Sequence, residues 1–321
     1  MNILKKDIPS IHALKAILAA LVVILHTPLR GKEIIEPVFW VAVPCFYIIS
    51  GYFLYSGSVE TENSRAKRWV RKIFFANVMV NLSYVVFYKA QGGMFSLEQY
   101  LHVLLTGTGV TLHTWYLAAM WQALCLFIII RNKMPKLIYW AMLLCVLNPI
   151  FGRYSFVFSV NDHPIYMRAN CISVALPYMC MGYAIAKNQH LLKLIKRPLL
   201  IAFICVLCAY IESCVLNCLG RNNGVSYLLT TTPMAICFFV AALCHKGRVN
   251  DWIVKIGKYH SANIYYFHIM ISVVCWYMCR HFFDFSCVVA VVVFGGALLF
   301  SYMLNYIIGR LRMIFERRMN A

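Results

Sequence analysis

Ten apolar segments, each read as long enough to cross a bilayer, alternate with short polar stretches along this chain. They run roughly over residues 11–28, 38–56, 72–89, 113–131, 136–152, 169–187, 198–218, 225–245, 260–279 and 286–309. A hydrocarbon core of about 30 Å is spanned by about 20 helical residues. Inside it the backbone satisfies its own polar groups only as helices or as a closed barrel. Continuous apolar runs of this length predict helices, so the expected fold class is an all-α polytopic membrane protein with about ten transmembrane helices. Composition agrees. Of 321 residues, 62% are hydrophobic and 13% charged, and the mean hydropathy is +0.71. Soluble domains carry about twice that charged fraction. An ordinary cytosolic enzyme, a disordered tail and a secreted disulfide scaffold are thereby excluded.

The net charge of +19 would suggest nucleic acid in a soluble protein. In a membrane protein, Lys and Arg collecting in cytoplasmic loops suffice, and no nucleic-acid partner is expected. With the N-terminus inside, alternation over ten spans puts 23 of the 30 Lys and Arg on the inner side and seven on the outer. This bias predicts that both termini are cytoplasmic. Lys5 and Lys6 ahead of the first span give it the look of a signal peptide. No small-x-small cleavage site follows in His26-Thr27-Pro28-Leu29-Arg30, so an uncleaved span is expected. The stretches 57–71, 90–112 and 153–168 are too short for separate domains. A single membrane-embedded domain over 1–321 is expected, with no appended soluble domain. The 14 Cys fall mostly in apolar runs, where Cys acts as a small hydrophobe. Cys205 and Cys208 form a Cys-x-x-Cys pair without a second pair at ligand spacing, so neither metal nor disulfide framework is expected.

Ionisable groups inside a membrane are costly and need a partner or a task. They are few: His12, Lys15 and His26 in the first span, Glu212 in the seventh, His268 in the ninth, and His113 at the mouth of the fourth. At 100° per residue, Lys15 and His26 share one helix face about 16 Å apart, and His12 lies about 40° from it. A cationic mouth is thus joined to an imidazole by one stripe. A lone membrane His is more often a helix–helix hydrogen bonder, but that role needs no cation at the far end. Glu212 is the only acid in the ten segments. It either forms a local structural pair or orients and charges His26. The run Arg65-Ala-Lys-Arg-Trp-Val-Arg-Lys72 either fixes topology or binds a phosphate-bearing ligand through Arg68 and Arg71.

These residues resemble the acyltransferase-3 family of integral membrane acyltransferases, of the surface-polysaccharide O-acetyltransferase type. Lys15-x10-His26 is similar to the family's basic-x10-His signature in the first span. Pro44-Cys-Phe-Tyr-Ile-Ile-Ser-Gly-Tyr-Phe53 resembles its Phe-rich Ser-Gly-Tyr-Phe stretch, and Arg68-Trp-Val-Arg71 its Arg-x-x-Arg motif, which Arg65–Arg68 overlaps. His113-Thr-Trp-Tyr-Leu117, Arg168 with Leu176-Pro-Tyr-Met-Cys-Met-Gly-Tyr183, and Ile264-Tyr-Tyr-Phe-His268 resemble later family elements in the right order. None is specific alone, but six in order cover nearly the whole chain. Lys15 departs from the commoner Arg, keeping the charge while losing the bidentate fork. Some members carry an appended esterase-like domain, which this chain is not expected to have.

The resemblance implies transfer of an acyl group, usually acetyl, from cytoplasmic acyl-CoA to a hydroxyl of a cell-envelope glycan or lipid-linked saccharide. Acetyl-CoA is then the donor substrate, with no metal. His12, Lys15, Arg68 and Arg71 are candidates for holding the polyanionic donor. His26 is the candidate catalytic base or acyl acceptor, with the base role favoured, and Glu212 and His268 are candidate catalytic partners. Trp115 and Tyr116 either anchor the interface or, with His113, line the acceptor entrance. Arg168 either binds an acidic sugar or pairs with Asp162. Ser50 and Gly51 are expected to let helices approach closely. A bacterial inner membrane is the expected location, with membrane lipid as a partner, and a homo-oligomer is compatible with the reading. A glycan or lipid transporter or flippase is the alternative. It would often show paired halves with broken helices, none of which is visible here, and it leaves the basic-to-imidazole stripe unexplained. A receptor would need a sizeable domain outside the membrane.

Overall fold

The computed structural model describes residues 7–29, 32–94, 96–106, 113–157, 168–220, 227–279 and 287–319. Lys5, Lys6, Arg30, Arg221 and Arg280, which entered the charge balance, and Asp162, the alternative partner of Arg168, lie outside the described residues. No strand occurs among the described residues. The helices are α1 (Pro9–His26), α2 (Lys32–Phe39), α3 (Ala42–Leu54), α4 (Val59–Ala90), α5 (Leu97–Thr106) and α6 (Trp115–Lys133). They continue with α7 (Leu137–Ile150), α8 (Cys171–Lys187), α9 (Pro198–Cys218), α10 (Thr231–Cys244), α11 (Asp251–Lys255), α12 (Ser261–Cys279) and α13 (Cys287–Met319).

Each of the ten predicted segments contains a helix. Among the described residues, six helical stretches are long and apolar enough to cross a membrane: Pro9–His26, Ile35–Leu54, Val59–Ala90, Trp115–Lys133, Pro198–Cys218 and Val288–Ile314. The helices α7, α8 and α10 are apolar but shorter. The core of α7 tightens into a 3-10 stretch at Met142–Val146. Proline shapes other breaks. Pro44 has no N–H to donate to the Trp40 carbonyl four residues back, and the chain breaks there between α2 and α3. Pro198 opens α9 at a first-turn position where its missing donor costs nothing.

The basic run was expected in a loop and stands on a helix instead. Helix α4 begins at Val59 and continues for 32 residues through Arg65–Lys72 and the apolar stretch beyond. Hydropathy alone ends a span where charge begins, but Glu, Ala, Lys and Arg are good helix formers. Glu60 and Glu62 in its first turn also complement the helix dipole.

The chain divides into two compact units, Met1–Ile11 with Glu33–Lys246, and His12–Lys32 with Gly247–Ala321. The first unit is built on the contact of α3 with α8, where two glycines bring backbones together. A Cβ on Gly51 would lie 1.9 Å from the Met179 carbonyl oxygen, and one on Gly182 would lie 1.9 Å from that of Ile48. Gly51 therefore serves the close approach expected of it, whereas the Ser50 hydroxyl donates to the Phe46 carbonyl of its own helix. Around this pair are buried Tyr47, Ile48, Tyr52, Tyr178, Met179 and Phe239. The second unit joins α1, from His12 onward, to α11, α12 and α13. A π-helical turn at Ile256–His260 links α11 to α12. Within it, a Cβ on Gly257 would fall 1.7 Å from the His12 carbonyl oxygen, so this turn lies directly on the backbone of α1.

Candidate active site

Helix α1 is uninterrupted from Pro9 to His26, so the face shared by Lys15 and His26 is preserved. His26 is its last residue. The Lys32 ammonium donates to the Leu25 carbonyl, supplying a cation at the end where helix carbonyls point outward. The Thr27 hydroxyl donates to the Val23 carbonyl at 2.7 Å. Both interactions fix the backbone on either side of His26.

The second unit brings His268 to His26. Their ring centroids are 5.1 Å apart, with the planes inclined by 41°. His268 is 1% exposed. Its Nδ1 lies 2.8 Å from the Tyr265 carbonyl oxygen. A carbonyl only accepts, so Nδ1 carries the hydrogen, and in the neutral ring Nε2 keeps the lone pair. The two imidazoles come from segments at opposite ends of the sequence. Lys15 and His12 are half-buried on the same helix as His26.

Sequence reasoning missed a polar seam between the start of α12 and α13. His260 Nδ1 lies 2.9 Å from the Ser301 hydroxyl, to which the Asn263 amide also donates at 3.0 Å. The Tyr302 ring stacks on His260 with centroids 3.9 Å apart. Polar side chains at Asn263, Ser301 and Asn305 in apolar helices were the available signal, since such groups join membrane helices.

In the first unit, an open cleft of about 500 Å³ is lined by Phe53, Arg65, Arg68, Trp69 and Lys72. Residues 65, 68, 69 and 72 recur at helical spacing and share one face of α4. Arg71 is exposed on the same helix and does not line this cleft. Of the two overlapping Arg-x-x-Arg pairs, the structure therefore puts Arg65 and Arg68 in the cleft, with Lys72 one turn further on. Arg65 also donates from Nη1 to the carbonyls of Phe53, Leu54 and Tyr55, closing the end of α3.

The entrance of α6 holds the predicted aromatic residues. His113 is buried against Tyr84, with ring centroids 5.2 Å apart. Tyr116 stacks on Tyr47 at 4.7 Å, and the Tyr47 hydroxyl donates to the Tyr116 carbonyl at 3.1 Å. Trp115 is half-buried beside it. Arg168 is 8% exposed. Its backbone carbonyl accepts from Asn148 Nδ2 at 2.8 Å and from the Ser173 hydroxyl.

Glu212 stands in a local pair. Its Oε1 accepts from the Tyr154 hydroxyl and from the Leu229 amide at 2.6 Å, and its Oε2 from the amide and hydroxyl of Thr230. Thr230 precedes the first turn of α10, so the carboxylate caps that helix from outside and meets its positive end. Burial, then the bond to Glu212, pushes the Tyr154 phenol well above its ordinary value, which keeps it a donor. Arg153 is 3% exposed, with Nη2 3.8 Å from Glu36 Oε1. Burial pulls its guanidinium below the usual value, opposed by Glu36 and Glu212. The sequence treated Arg153 as a loop charge, and nothing local marked it as buried.

The family model for the acyltransferase-3 domain, described as an acyltransferase domain, matches residues 8–306, nearly the whole chain. Comparison with curated proteins and with solved structures returns no match. The match spans both units and contains the facing imidazoles of His26 and His268, so the chain is a multi-pass membrane protein that belongs to the acyltransferase-3 family.

Proposed function

We propose that this protein is a membrane O-acyltransferase that moves an acyl group, acetyl by preference, from cytoplasmic acyl-CoA to a hydroxyl of a cell-envelope glycan or lipid-linked saccharide. The observation that carries the reading is the pairing of His26 with His268, whose Nδ1–H is committed to the Tyr265 carbonyl. A neutral imidazole is a suitable base near neutral pH. His26 takes the proton of the acceptor hydroxyl as its oxygen attacks the thioester carbonyl. The carbon–sulfur bond breaks, an ester forms, and the departing thiolate recovers the proton as free CoA. His268 orients His26 and stabilises its protonated form. Lys15, on the same face of α1, supplies positive charge for the anionic donor.

Arg68 and Lys72, with Arg65 behind them, are assigned to the donor's phosphates, because multiple cations beside the half-buried rings of Trp69 and Phe53 suit a nucleotide-bearing polyanion. Trp115, Tyr116, His113 and Arg168 are assigned to the acceptor, with Arg168 taking an acidic sugar. The expected location is a bacterial inner membrane, with both termini in the cytoplasm.

The test is thioester loss from radiolabelled acetyl-CoA in inverted membrane vesicles supplied with an envelope-glycan extract. Wild type is expected to release CoA and label a glycan, and His26→Ala to do neither at equal abundance. Labelling by His26→Ala at the wild-type rate overturns the mechanism. No turnover by wild type leaves two readings, a different acyl donor or the transporter.

A further inference from the structure

We propose that Glu62 is a positioning residue for the basic cleft, setting donor affinity through the turn that joins α3 to α4. The proposal rests on the reading of that cleft as the donor site.

Glu62 is 0% exposed. Its Oε1 accepts from the amides of Ser56 and Gly57 at 3.0 and 3.1 Å. Its Oε2 accepts from Arg131 Nε at 2.7 Å and from the Tyr183 hydroxyl at 2.9 Å. One carboxylate thus ties the α3–α4 turn, the first turn of α4, the last turn of α6 and the end of α8. Gly57, at φ +81°, gives the turn a left-handed residue that other side chains rarely adopt.

The cleft lies across this same turn. Phe53 belongs to the end of α3, whereas Arg65, Arg68, Trp69 and Lys72 belong to α4. Glu62 fixes the amides on one side of the turn, and Arg65, one helical turn further, fixes the carbonyls of residues 53–55 on the other. The angle between α3 and α4, and hence the placing of Arg68 against Phe53, is set by these two residues. A buried ion pair is not the cheapest way to stabilise a fold, since desolvation offsets much of its attraction. A carboxylate that accepts four donors in fixed directions supplies what apolar packing does not, a defined orientation.

The substitution Glu62→Gln separates the possibilities. Both oxygens accept two donors each. An amide offers one accepting oxygen and one NH2 group, so either way round it turns hydrogens toward two existing donors. It must release either the turn amides or Arg131 and Tyr183. Glu62→Asp keeps both acceptors on a shorter stem, and Tyr183→Phe removes one donor and no charge.

The experiment measures initial acetyl transfer against acetyl-CoA concentration for full-length protein in membrane vesicles, at matched abundance, with Arg68→Ala alongside. Glu62→Gln is expected to raise KM for acetyl-CoA about tenfold with kcat within about twofold. Glu62→Asp should fall between it and wild type, and Tyr183→Phe should raise KM by about two- to threefold. A purely structural Glu62 lowers the amount of folded protein or kcat and leaves KM alone, which overturns the proposal. If Glu62→Gln does not accumulate, an unchanged KM in Tyr183→Phe overturns it instead. Raised KM in Arg68→Ala with unchanged KM in the Glu62 and Tyr183 variants sinks the positioning role and spares the donor site. Unchanged KM in Arg68→Ala removes the donor site itself.

Discussion

His26 closes α1 with its imidazole centroid 5.1 Å from that of His268, and His268 is oriented by its own i−3 carbonyl at Tyr265. The second ring is thereby turned by its own helix, independently of the first. This makes the pair separable by mutation. His26→Ala and His26→Gln are expected to lower transfer by about 10³-fold or more. His268→Gln keeps a polar group of similar reach and is expected to cost about 10- to 100-fold in kcat. Initial rates at saturating acetyl-CoA check both. Equal losses at the two positions would mean that the rings act as one unit, and no loss at His268 would remove it from the site.

The cleft distinguishes Arg68 from its neighbour Arg71. Arg68→Ala is expected to raise KM for acetyl-CoA about tenfold, with an effect that shrinks as salt rises, whereas Arg71→Ala is expected to stay within about twofold. Donor titrations at low and high ionic strength read this directly. The reverse order would return the donor to the Arg68–Arg71 pair that the sequence motif favoured.

Glu212 accepts four hydrogen bonds at the start of α10. Glu212→Gln loses half of its acceptors and the charge that meets the helix end. The expected cost is about 1–2 kcal/mol of stability, visible as a lowered Tm of the purified protein. Turnover per folded molecule at a permissive temperature should remain within about twofold of wild type. A large loss of kcat without a change in Tm would restore the catalytic role that its lone acidity suggested.

Gly51 and Gly182 are expected to resist any enlargement. A methyl group at either would overlap a backbone carbonyl, at a cost of about 3 kcal/mol or more. Gly295 on α13 has nothing within 4 Å of its virtual Cβ. Gly295→Ala should be neutral, or stabilising by up to about 1 kcal/mol from helix propensity. Thermal unfolding of the three single variants in detergent makes the comparison. Equal Tm values for Gly51→Ala and Gly295→Ala would refute the close approach of α3 and α8.

Hydropathy made the helical class and the ten apolar segments readable, because each helix of a membrane protein announces itself over 15 to 20 consecutive residues. The same signal misread α4, since a helix that leaves the apolar run does not stop being a helix. His26 and His268 stood out as rare imidazoles in apolar surroundings, and Lys15 as a charge in the first span on the same helix face as His26. The Glu62 cluster was not legible. Its partners Arg131 and Tyr183 are 69 and 121 residues away, and Glu62 sits where the pattern reads as a solvated charge run. Arg153 escaped for the same reason: a charge between spans looks like a loop charge until tertiary contacts bury it. Glu212 was found because it interrupts an apolar run. Which partners it meets depended on the fold of residues 154 and 229–230 around it.

On the proposed reading of the basic cleft as the donor site, the unbroken course of α4 also bears on where the donor's charge is handled. Its 32 residues make a rod of about 48 Å. The 18 residues from Ile73 to Ala90 amount to about 27 Å, close to the thickness of a hydrocarbon layer. If those 18 residues cross the hydrocarbon layer, the turns from Val59 to Lys72 extend past it, with Lys67, Arg68, Arg71 and Lys72 exposed on them like the head of a mooring post. A polyanion tied there keeps much of its hydration, and only the slender uncharged arm that carries the acyl group has to go further.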